Sequence, residues 1–210
     1  MEREIIKSNG IKWTKKDNVD RFLFPDEYLS FFKQLKIKQK HSVKVLLNTG
    51  ARFNEAFNIL VSDVDLERKR IVLRKTKSKA RKGEKKGEGK PRIIPISTQF
   101  SIYLKKIIRQ NGLNSDDKIG MISNPALNIA YKKSAIRAGL KNPRDISSHT
   151  FRKTLEVWLL SLGVDYLKLL AHFGHDVKTA ARAYVSPDIL SPEEKTLIRN
   201  IIGDLYQDRY

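Results

Sequence analysis

The residues 147–184, SSHTFRKTLEVWLLSLGVDYLKLLAHFGHDVKTAARAY, decide the fold of this 210-residue chain. Apolar residues recur at helical spacing from Phe151 to Leu162, and Gly163 follows as a typical helix end. A second apolar run leads to Gly174, which has no Cβ and can adopt the left-handed backbone that ends a helix. The stretch therefore predicts two consecutive helices followed by a turn.

Four polar side chains in this stretch are hard to explain by packing alone. His149 and Arg152 are three residues apart, so they share one face of the first helix. His175 directly follows the predicted turn at Gly174, and Tyr184 comes nine residues later. Basic groups, a histidine and a tyrosine that converge in one helical hairpin predict a site for an anion, and phosphate suits it best.

The rest of the chain predicts further helices and a few short strands. Apolar periodicity and helix-capping residues predict helices at Pro25 onward, Val43–Leu47, Arg52 onward, Ser97 or Thr98 onward, Asn124–Ala138 and Pro192 onward. Runs of β-branched residues predict strands at Arg70–Arg74 and Arg92–Ile96. The lysine- and glycine-rich residues between the two strands predict a mobile hairpin connection. The fold class is therefore mainly α with a small antiparallel β-sheet (α+β).

Composition indicates the kind of partner. The chain carries 42 Lys and Arg against 23 Asp and Glu, a net charge of +19, which favours a polyanion over a surface that is lysine-rich only for solubility. The absence of cysteine excludes disulfides, thiolate zinc sites and cysteine nucleophiles. No apolar run is long enough to span a bilayer, so we expect no membrane association and a cytoplasmic location.

Three motifs give the chain a family resemblance. His149-Thr-Phe-Arg152 resembles the H-x-x-R motif of the tyrosine recombinases, the phage-integrase family. Gly174-His175 with Tyr184 resembles the G-H motif and nucleophile of that family, at the usual nine-residue distance. Thr49-Gly-Ala-Arg52-Phe-Asn-Glu55 resembles its T-G-x-R-x-x-E motif. The three motifs occur in the family's order.

The resemblance implies a tyrosine recombinase catalytic-domain fold and site-specific DNA integration or recombination for a mobile element. Double-stranded DNA would be cleaved and rejoined through a 3′-phosphotyrosine, with no metal and no nucleotide cofactor. We expect a monomer without DNA, a homo-tetramer on two DNA sites, and association with the nucleoid.

The resemblance also implies a role for each motif residue. Tyr184 would be the nucleophile, Arg52 and Arg152 would bind the two non-bridging phosphate oxygens, His149 would share the tyrosine proton, and His175 would donate to a phosphate oxygen. Lys77 would be the general acid, with Lys75 as second choice, and Glu55 would orient Arg52 or His149 without touching DNA. The remaining DNA contacts are expected from basic side chains, namely Lys75, Lys79, Arg81 and Lys153.

The polar residues 1–21 predict an N-terminal arm or linker, the resemblance implies a catalytic domain (22–190), and a capping box with an apolar stripe predicts a C-terminal helix (191–210). Family members carry a separate N-terminal DNA-clamping domain, for which this chain has no room, so we expect a fragment or a minimal form. The C-terminal helix either is exchanged between protomers or docks on its own domain.

Alternatives remain open at this level. A type IB topoisomerase-like enzyme shares the chemistry, and a catalytically silent DNA-binding accessory protein shares the charge. His172 and His175 have a spacing that a zinc pair could use, but no cysteine or carboxylate cluster completes such a site. Two positions depart from the family pattern, since Lys153 stands where histidine is common and Phe173 replaces a leucine.

Overall fold

The computed structural model describes residues 3–6, 12–15, 21–74, 91–174 and 190–207. Its helices are α1 Pro25–Lys33, α2 Ile37–Thr49, α3 Phe53–Phe57, α4 Thr98–Gln110, α5 Asn124–Arg137, α6 Ser148–Ser161, α7 Tyr166–Phe173 and α8 Pro192–Ile202. Its strands are β1 Arg3–Ile6, β2 Lys12–Lys15, β3 Val64–Asp65, β4 Arg70–Leu73 and β5 Arg92–Pro95. The predicted fold class, mainly α with a small antiparallel sheet, is confirmed.

The three-stranded sheet has the order β3-β4-β5, and both neighbouring pairs are antiparallel. In the β4–β5 pair Leu73 lies opposite Arg92, and Ile71 lies opposite Ile94. Both isoleucines are buried, as the branched apolar pattern predicted. Residues 75–90, for which a mobile connection is predicted, lie outside the described residues.

The N-terminal region, for which an arm or linker over residues 1–21 is predicted, contains two short strands that the sequence pattern did not indicate. β1 and β2 form a separate two-stranded antiparallel sheet, in which Ile5 lies opposite Trp13. The sequence has Asn9-Gly10 among the five residues between the two strands, and a connection of three to five residues that contains glycine is a signal for a hairpin. That signal could have predicted the hairpin, but the polar composition around it concealed the short strands.

Helix α6 is anchored in the centre of the helical core. The Trp158 ring is fully buried and meets Tyr28 of α1 edge-on, with ring centroids 5.7 Å apart. Its Nε1 donates to the Leu23 carbonyl over 3.0 Å, and Thr154 Oγ1 accepts from the Leu23 amide over 2.9 Å. A buried indole N–H needs such a partner. These bonds fix α6 to the segment that enters the domain.

Predicted helix ends are confirmed where a cap residue marks them. The Ser97 side chain accepts from the Phe100 amide at the start of α4. Ser191 and Glu194 form the expected capping box at the start of α8. Gly174 ends α7 with a left-handed φ of 60°.

The C-terminal helix packs on its own chain, against α1 and α6. Ile198, Ile202 and Leu205 of this segment are buried. Both carboxylate oxygens of Asp204 accept from Thr98, one from its backbone amide and one from its hydroxyl, each over 2.6 Å. In this single chain the segment docks in cis, and exchange between protomers stays a prediction.

Within the described ranges, no helix has the length and hydropathy needed to cross a bilayer.

Candidate active site

The C-terminal ends of α2 and α7, at Gly50 and Phe173, meet at the side chain of Arg152. This guanidinium is buried, with 3% of the residue exposed, and its Nη1 donates to the Gly50 carbonyl over 2.8 Å. Its Nη2 donates to the Phe173 carbonyl, and the guanidinium also lies 5.1 Å from the centroid of the Phe173 ring. Arg152 therefore connects the end of α2 with the end of α7.

The close approach of these helix ends requires glycine at position 50. Gly50 ends α2 with a left-handed φ of 56°, and a Cβ built on it would lie 2.5 Å from Cε1 of Phe173. No real Cβ tolerates that distance. Phe173, which stands where the family pattern has leucine, thus packs directly against Gly50 of the T-G-A-R motif.

Arg52 and Glu55 lie at the start of the short helix α3. Arg52 is the N-cap residue, and its amide donates to Glu55 Oε2 over 2.9 Å. Its guanidinium Nη1 is 3.1 Å from Glu55 Oε1, while 47% of the Arg52 side chain is exposed. The predicted role of Glu55 in orienting Arg52 is consistent with these contacts. Arg52 keeps an exposed cationic surface that an anion could reach.

Arg92 belongs to the same cluster, although the sequence pattern did not indicate it. Its Nη1 and Nη2 donate to the two oxygens of Glu55 over 3.0 and 2.7 Å, and its Nε donates to the His172 carbonyl over 3.0 Å. The sequence showed only the first residue of an apolar strand. No signal in the local pattern distinguishes it from other basic residues at strand ends.

In this cluster two arginines, Arg52 and Arg92, pair with one carboxylate, and Arg152 interacts electrostatically with them. Burial alone would raise the pKa of Glu55, but hydrogen bonds and charge from Arg92, and then from Arg52, outweigh it and lower the pKa to about 2. Burial lowers the pKa of Arg152 to about 9, and repulsion by Arg52 and Arg92 adds to this effect. Positive charge in excess of Glu55 therefore accumulates where the three sequence elements meet, which favours an anion.

Two basic residues of helix α6 lie at different depths. His149 is exposed in the first turn, where its amide donates to the Ser147 side chain. Lys153 is buried, with 8% of its side chain exposed, and its ammonium lies 3.3 Å from Glu156. This burial does not favour the predicted contact of Lys153 with DNA, which stays a prediction. A helical pattern gives the face of a residue but not the depth to which its neighbours cover it.

His172 is fully occupied by protein contacts. Its Nε2 is 3.0 Å from the Thr49 carbonyl, and its Nδ1 is 2.9 Å from the Tyr206 hydroxyl. Neither ring nitrogen is available for a metal in this conformation, which argues against the zinc pair weighed above. No cluster of three or more potential metal ligands occurs in the described part of the chain.

The remaining predicted site residues lie outside the described residues. These are Tyr184, His175, Lys75, Lys77, Lys79 and Arg81. The structure thus brings together Arg52, Arg152 and Glu55, adds Arg92, and places His149 on the same helix as Arg152.

Comparisons with known proteins agree with the resemblance. The model of the family described as "Phage integrase family" matches residues 12–189. The tyrosine recombinase XerA of Saccharolobus solfataricus is 30% identical over 145 residues, which cover 69% of this chain and 44% of that protein. The tyrosine recombinase XerD of Corynebacterium glutamicum is 28% identical over 159 residues, covering 70% and 48%. The chain spans about half the length of the curated relatives it matches.

Solved structures show the same fold. The crystal structure of XerA recombinase superposes with a TM-score of 0.61 at 18% identity and covers 93% of this chain and 68% of that one. The Tn1549 transposon integrase, solved in complex with transposon right end DNA, gives a TM-score of 0.62 at 18% identity and covers 92% and 69%. With the motifs, the arginine cluster and the family match in agreement, the chain belongs to the phage integrase family of tyrosine recombinases.

Proposed function

We propose that this chain is the catalytic part of a site-specific DNA recombinase or integrase that works through a 3′-phosphotyrosine on Tyr184. The observation that carries the proposal is the arginine cluster, in which Arg52 and Arg92 pair with Glu55 and the buried Arg152 interacts with the charges of all three. A phosphodiester repels an anionic nucleophile, so cleavage requires concentrated positive charge at the phosphate. The DNA-bound state of solved relatives such as the Tn1549 integrase supports DNA as the substrate.

The roles of the residues follow from the charge that develops during the reaction. The Tyr184 oxygen would attack phosphorus and form a phosphodiester to the 3′ side, while the bond to the 5′-oxygen breaks. Arg52 and Arg152 would bind the non-bridging oxygens, because guanidinium offers forked donors and keeps its charge. His149 would take the phenolic proton and His175 would donate to a phosphate oxygen.

The leaving 5′-oxygen requires a proton. Lys77 would donate it, with Lys75 as the alternative, and Lys79 and Arg81 would contact the DNA backbone. Because the tyrosyl ester conserves the energy of the broken phosphodiester, rejoining needs neither ATP nor a metal. We also propose that the protein is a monomer without DNA and that four protomers assemble on two DNA sites in the nucleoid.

Trapping of the covalent intermediate tests the proposal without knowledge of the target site. A pool of random-sequence duplexes, each with one nick, is incubated with the protein in the presence of EDTA. Cleavage close to a nick releases a short fragment, so the enzyme cannot rejoin the strand. DNA that stays attached to protein after denaturation is then sequenced, and peptide mapping locates the modified residue. We expect an adduct on Tyr184.

The control is Tyr184→Phe, which removes only the attacking oxygen and should bind DNA without forming an adduct. An adduct that persists in this variant would assign the nucleophile to another tyrosine. A wild-type protein that binds the pool but forms no adduct would refute the proposal and favour a DNA-binding accessory protein. Adduct formation together with supercoil relaxation, but without joining of two sites, would favour a type IB topoisomerase-like enzyme.

A further inference from the structure

Arg92 stands where three parts of the proposed site meet. It is the first residue of β5 and lies opposite Leu73, the last residue of β4. Its side chain is 14% exposed, against 47% for Arg52. A residue so placed at the start of a strand can connect the sheet with the helices that carry the motifs.

The contacts of Arg92 reach two of those helices. Its guanidinium forms a two-pronged pair with Glu55 of α3, over 3.0 and 2.7 Å. Its Nε donates over 3.0 Å to the carbonyl of His172, in the last turn of α7. The Arg92 side chain also packs beside Gly174, where an added Cβ would lie 3.4 Å from Arg92 Cδ. Arg92 thus holds the start of α3 and the end of α7 against the sheet.

The contact with Glu55 has a consequence for Arg52. Each oxygen of Glu55 accepts one hydrogen bond from Arg92 and one from Arg52. Oε1 accepts from the guanidinium groups of both arginines. Oε2 accepts from the Arg92 guanidinium and from the backbone amide of Arg52. Arg92 therefore fixes the plane of the carboxylate. Its charge also competes for Glu55, so that the carboxylate neutralises Arg52 only in part and the Arg52 guanidinium keeps charge for a phosphate.

We propose that Arg92 is a positioning residue for DNA strand cleavage, which acts by holding Glu55 against Arg52. The inference rests on the proposed function. Three of the five N–H groups of Arg92 donate to protein oxygens within 3.0 Å, so the protein holds its guanidinium in place, and the positioning role requires no phosphate contact. Lysine could not replace it, because a single ammonium cannot form the two-pronged pair and the third bond at once.

The test compares Arg92→Lys and Arg92→Gln with the wild type on a duplex recovered from the trapping experiment. The rate of adduct formation at saturating DNA and the affinity for DNA are measured separately. We expect both variants to cleave about 100-fold more slowly, because a displacement of about 1 Å in a catalytic group has an effect of that size. The dissociation constant for DNA should change less than about threefold.

The matched control is Arg70→Gln. Arg70 lies on the neighbouring strand β4 and pairs with Asp65 over 3.0 Å, but it does not contact the cluster. This variant loses a similar arginine–carboxylate pair and the same charge, so it should cleave at the wild-type rate. Equal losses in Arg70→Gln and Arg92→Gln would assign the effect to charge or sheet stability and would overturn the proposal.

A double-variant comparison separates positioning from direct contact. If Arg92 acts through Glu55, Glu55→Gln with Arg92→Gln should cleave no more slowly than Glu55→Gln alone. Additive losses, a Lys variant that cleaves like the wild type, or a loss that appears in DNA affinity would each contradict the proposal. If Arg92→Gln does not fold, Arg92→Lys, which keeps the charge, supplies the measurement. Failure of the proposed function is distinct, because the wild type itself would then form no adduct.

Discussion

His172 and Tyr206 are joined by a hydrogen bond of 2.9 Å between the imidazole Nδ1 and the phenolic oxygen. The other ring nitrogen, Nε2, lies 3.0 Å from the Thr49 carbonyl, which can only accept. Nε2 must therefore carry a proton, and in the neutral ring Nδ1 accepts from the tyrosine hydroxyl. The C-terminal segment is thus connected through one imidazole to the residue that precedes Gly50.

This arrangement keeps the imidazole neutral. Burial lowers the pKa of His172 to about 3, the bond to the Thr49 carbonyl opposes that shift, and the charges of Arg152 and Arg92 add to it. Burial also raises the pKa of Tyr206 to about 12, which keeps its hydroxyl a donor. Tyr206 has a left-handed φ of 56°, an uncommon conformation for an aromatic residue. We infer that the docked segment supports the site through this bond.

Tyr206→Phe should lower the free energy of unfolding by about 1 kcal/mol, because it removes one buried hydrogen bond and leaves Nδ1 of His172 without its donor. Urea denaturation measures the change. A double-mutant cycle with His172→Gln should give a coupling energy of at least about 0.5 kcal/mol. Additive effects of the two substitutions would show that the bond contributes nothing to stability.

Stability should decrease as the pH falls from 6.5 to 4.5. The folded pKa of His172 is lowered, and that of His41, which is buried against the Ile119 carbonyl, is lowered as well. The unfolded chain therefore binds more protons than the folded one in this window, and the free energy of unfolding falls with pH.

Glu55 contributes stability above its unfolded pKa of about 4.5, and that contribution is lost only as the pH falls from there towards about 2. The change in the free energy of unfolding between pH 6.5 and 4.5 therefore comes largely from the histidines. Urea denaturation at pH 7.0 and 5.0 should show a smaller pH effect in His172→Gln than in the wild type. An unchanged pH effect would mean that His172 takes up a proton in the folded state.

Gly50→Ala should destabilise the protein more than Gly112→Ala. Both glycines have a left-handed φ, of 56° and 58°, but only at Gly50 would the new Cβ meet Phe173, while nothing lies within 4 Å of Gly112. The backbone strain is therefore matched, and the difference measures the close approach of α2 to α7. Thermal unfolding compares the two variants. Equal changes would show that Phe173 moves aside freely.

Lys77→Ala should slow cleavage far more than Lys75→Ala, and a DNA substrate with a 5′-sulfur leaving group should restore the rate. A thiolate leaves without protonation, so it bypasses a missing general acid. Adduct formation on the two substrates gives the comparison. If the sulfur substrate restores Lys75→Ala instead, Lys75 is the general acid.

The urea midpoint of the protein without DNA should not depend on protein concentration between about 1 and about 100 μM. Cis docking buries Ile198 and Ile202 within one chain, so no second protomer is needed to complete the core. A midpoint that rises with concentration would indicate that the C-terminal segment is already exchanged between protomers in the free protein.

The sequence by itself determined the features that depend on neighbours along the chain. The helix end at Gly174, the N-caps at Ser97 and Ser191 and the placement of Arg52 at a helix start were predicted and are confirmed. Capping bonds and left-handed turns join residues only a few positions apart, so local pattern is sufficient. The order and spacing of the three motifs likewise predicted the family and two of the clustered arginines.

Only the tertiary structure decided which partners these residues have. Arg92 and Glu55 are 37 positions apart, and His172 and Tyr206 are 34 apart, so their contacts exist only once the sheet and helices have packed. The burial of Lys153 has the same origin, because neighbouring elements cover it. A pattern of spacing specifies the face on which a side chain lies. The pKa of Glu55 and the neutral form of His172 depend on charges and carbonyls that distant segments supply.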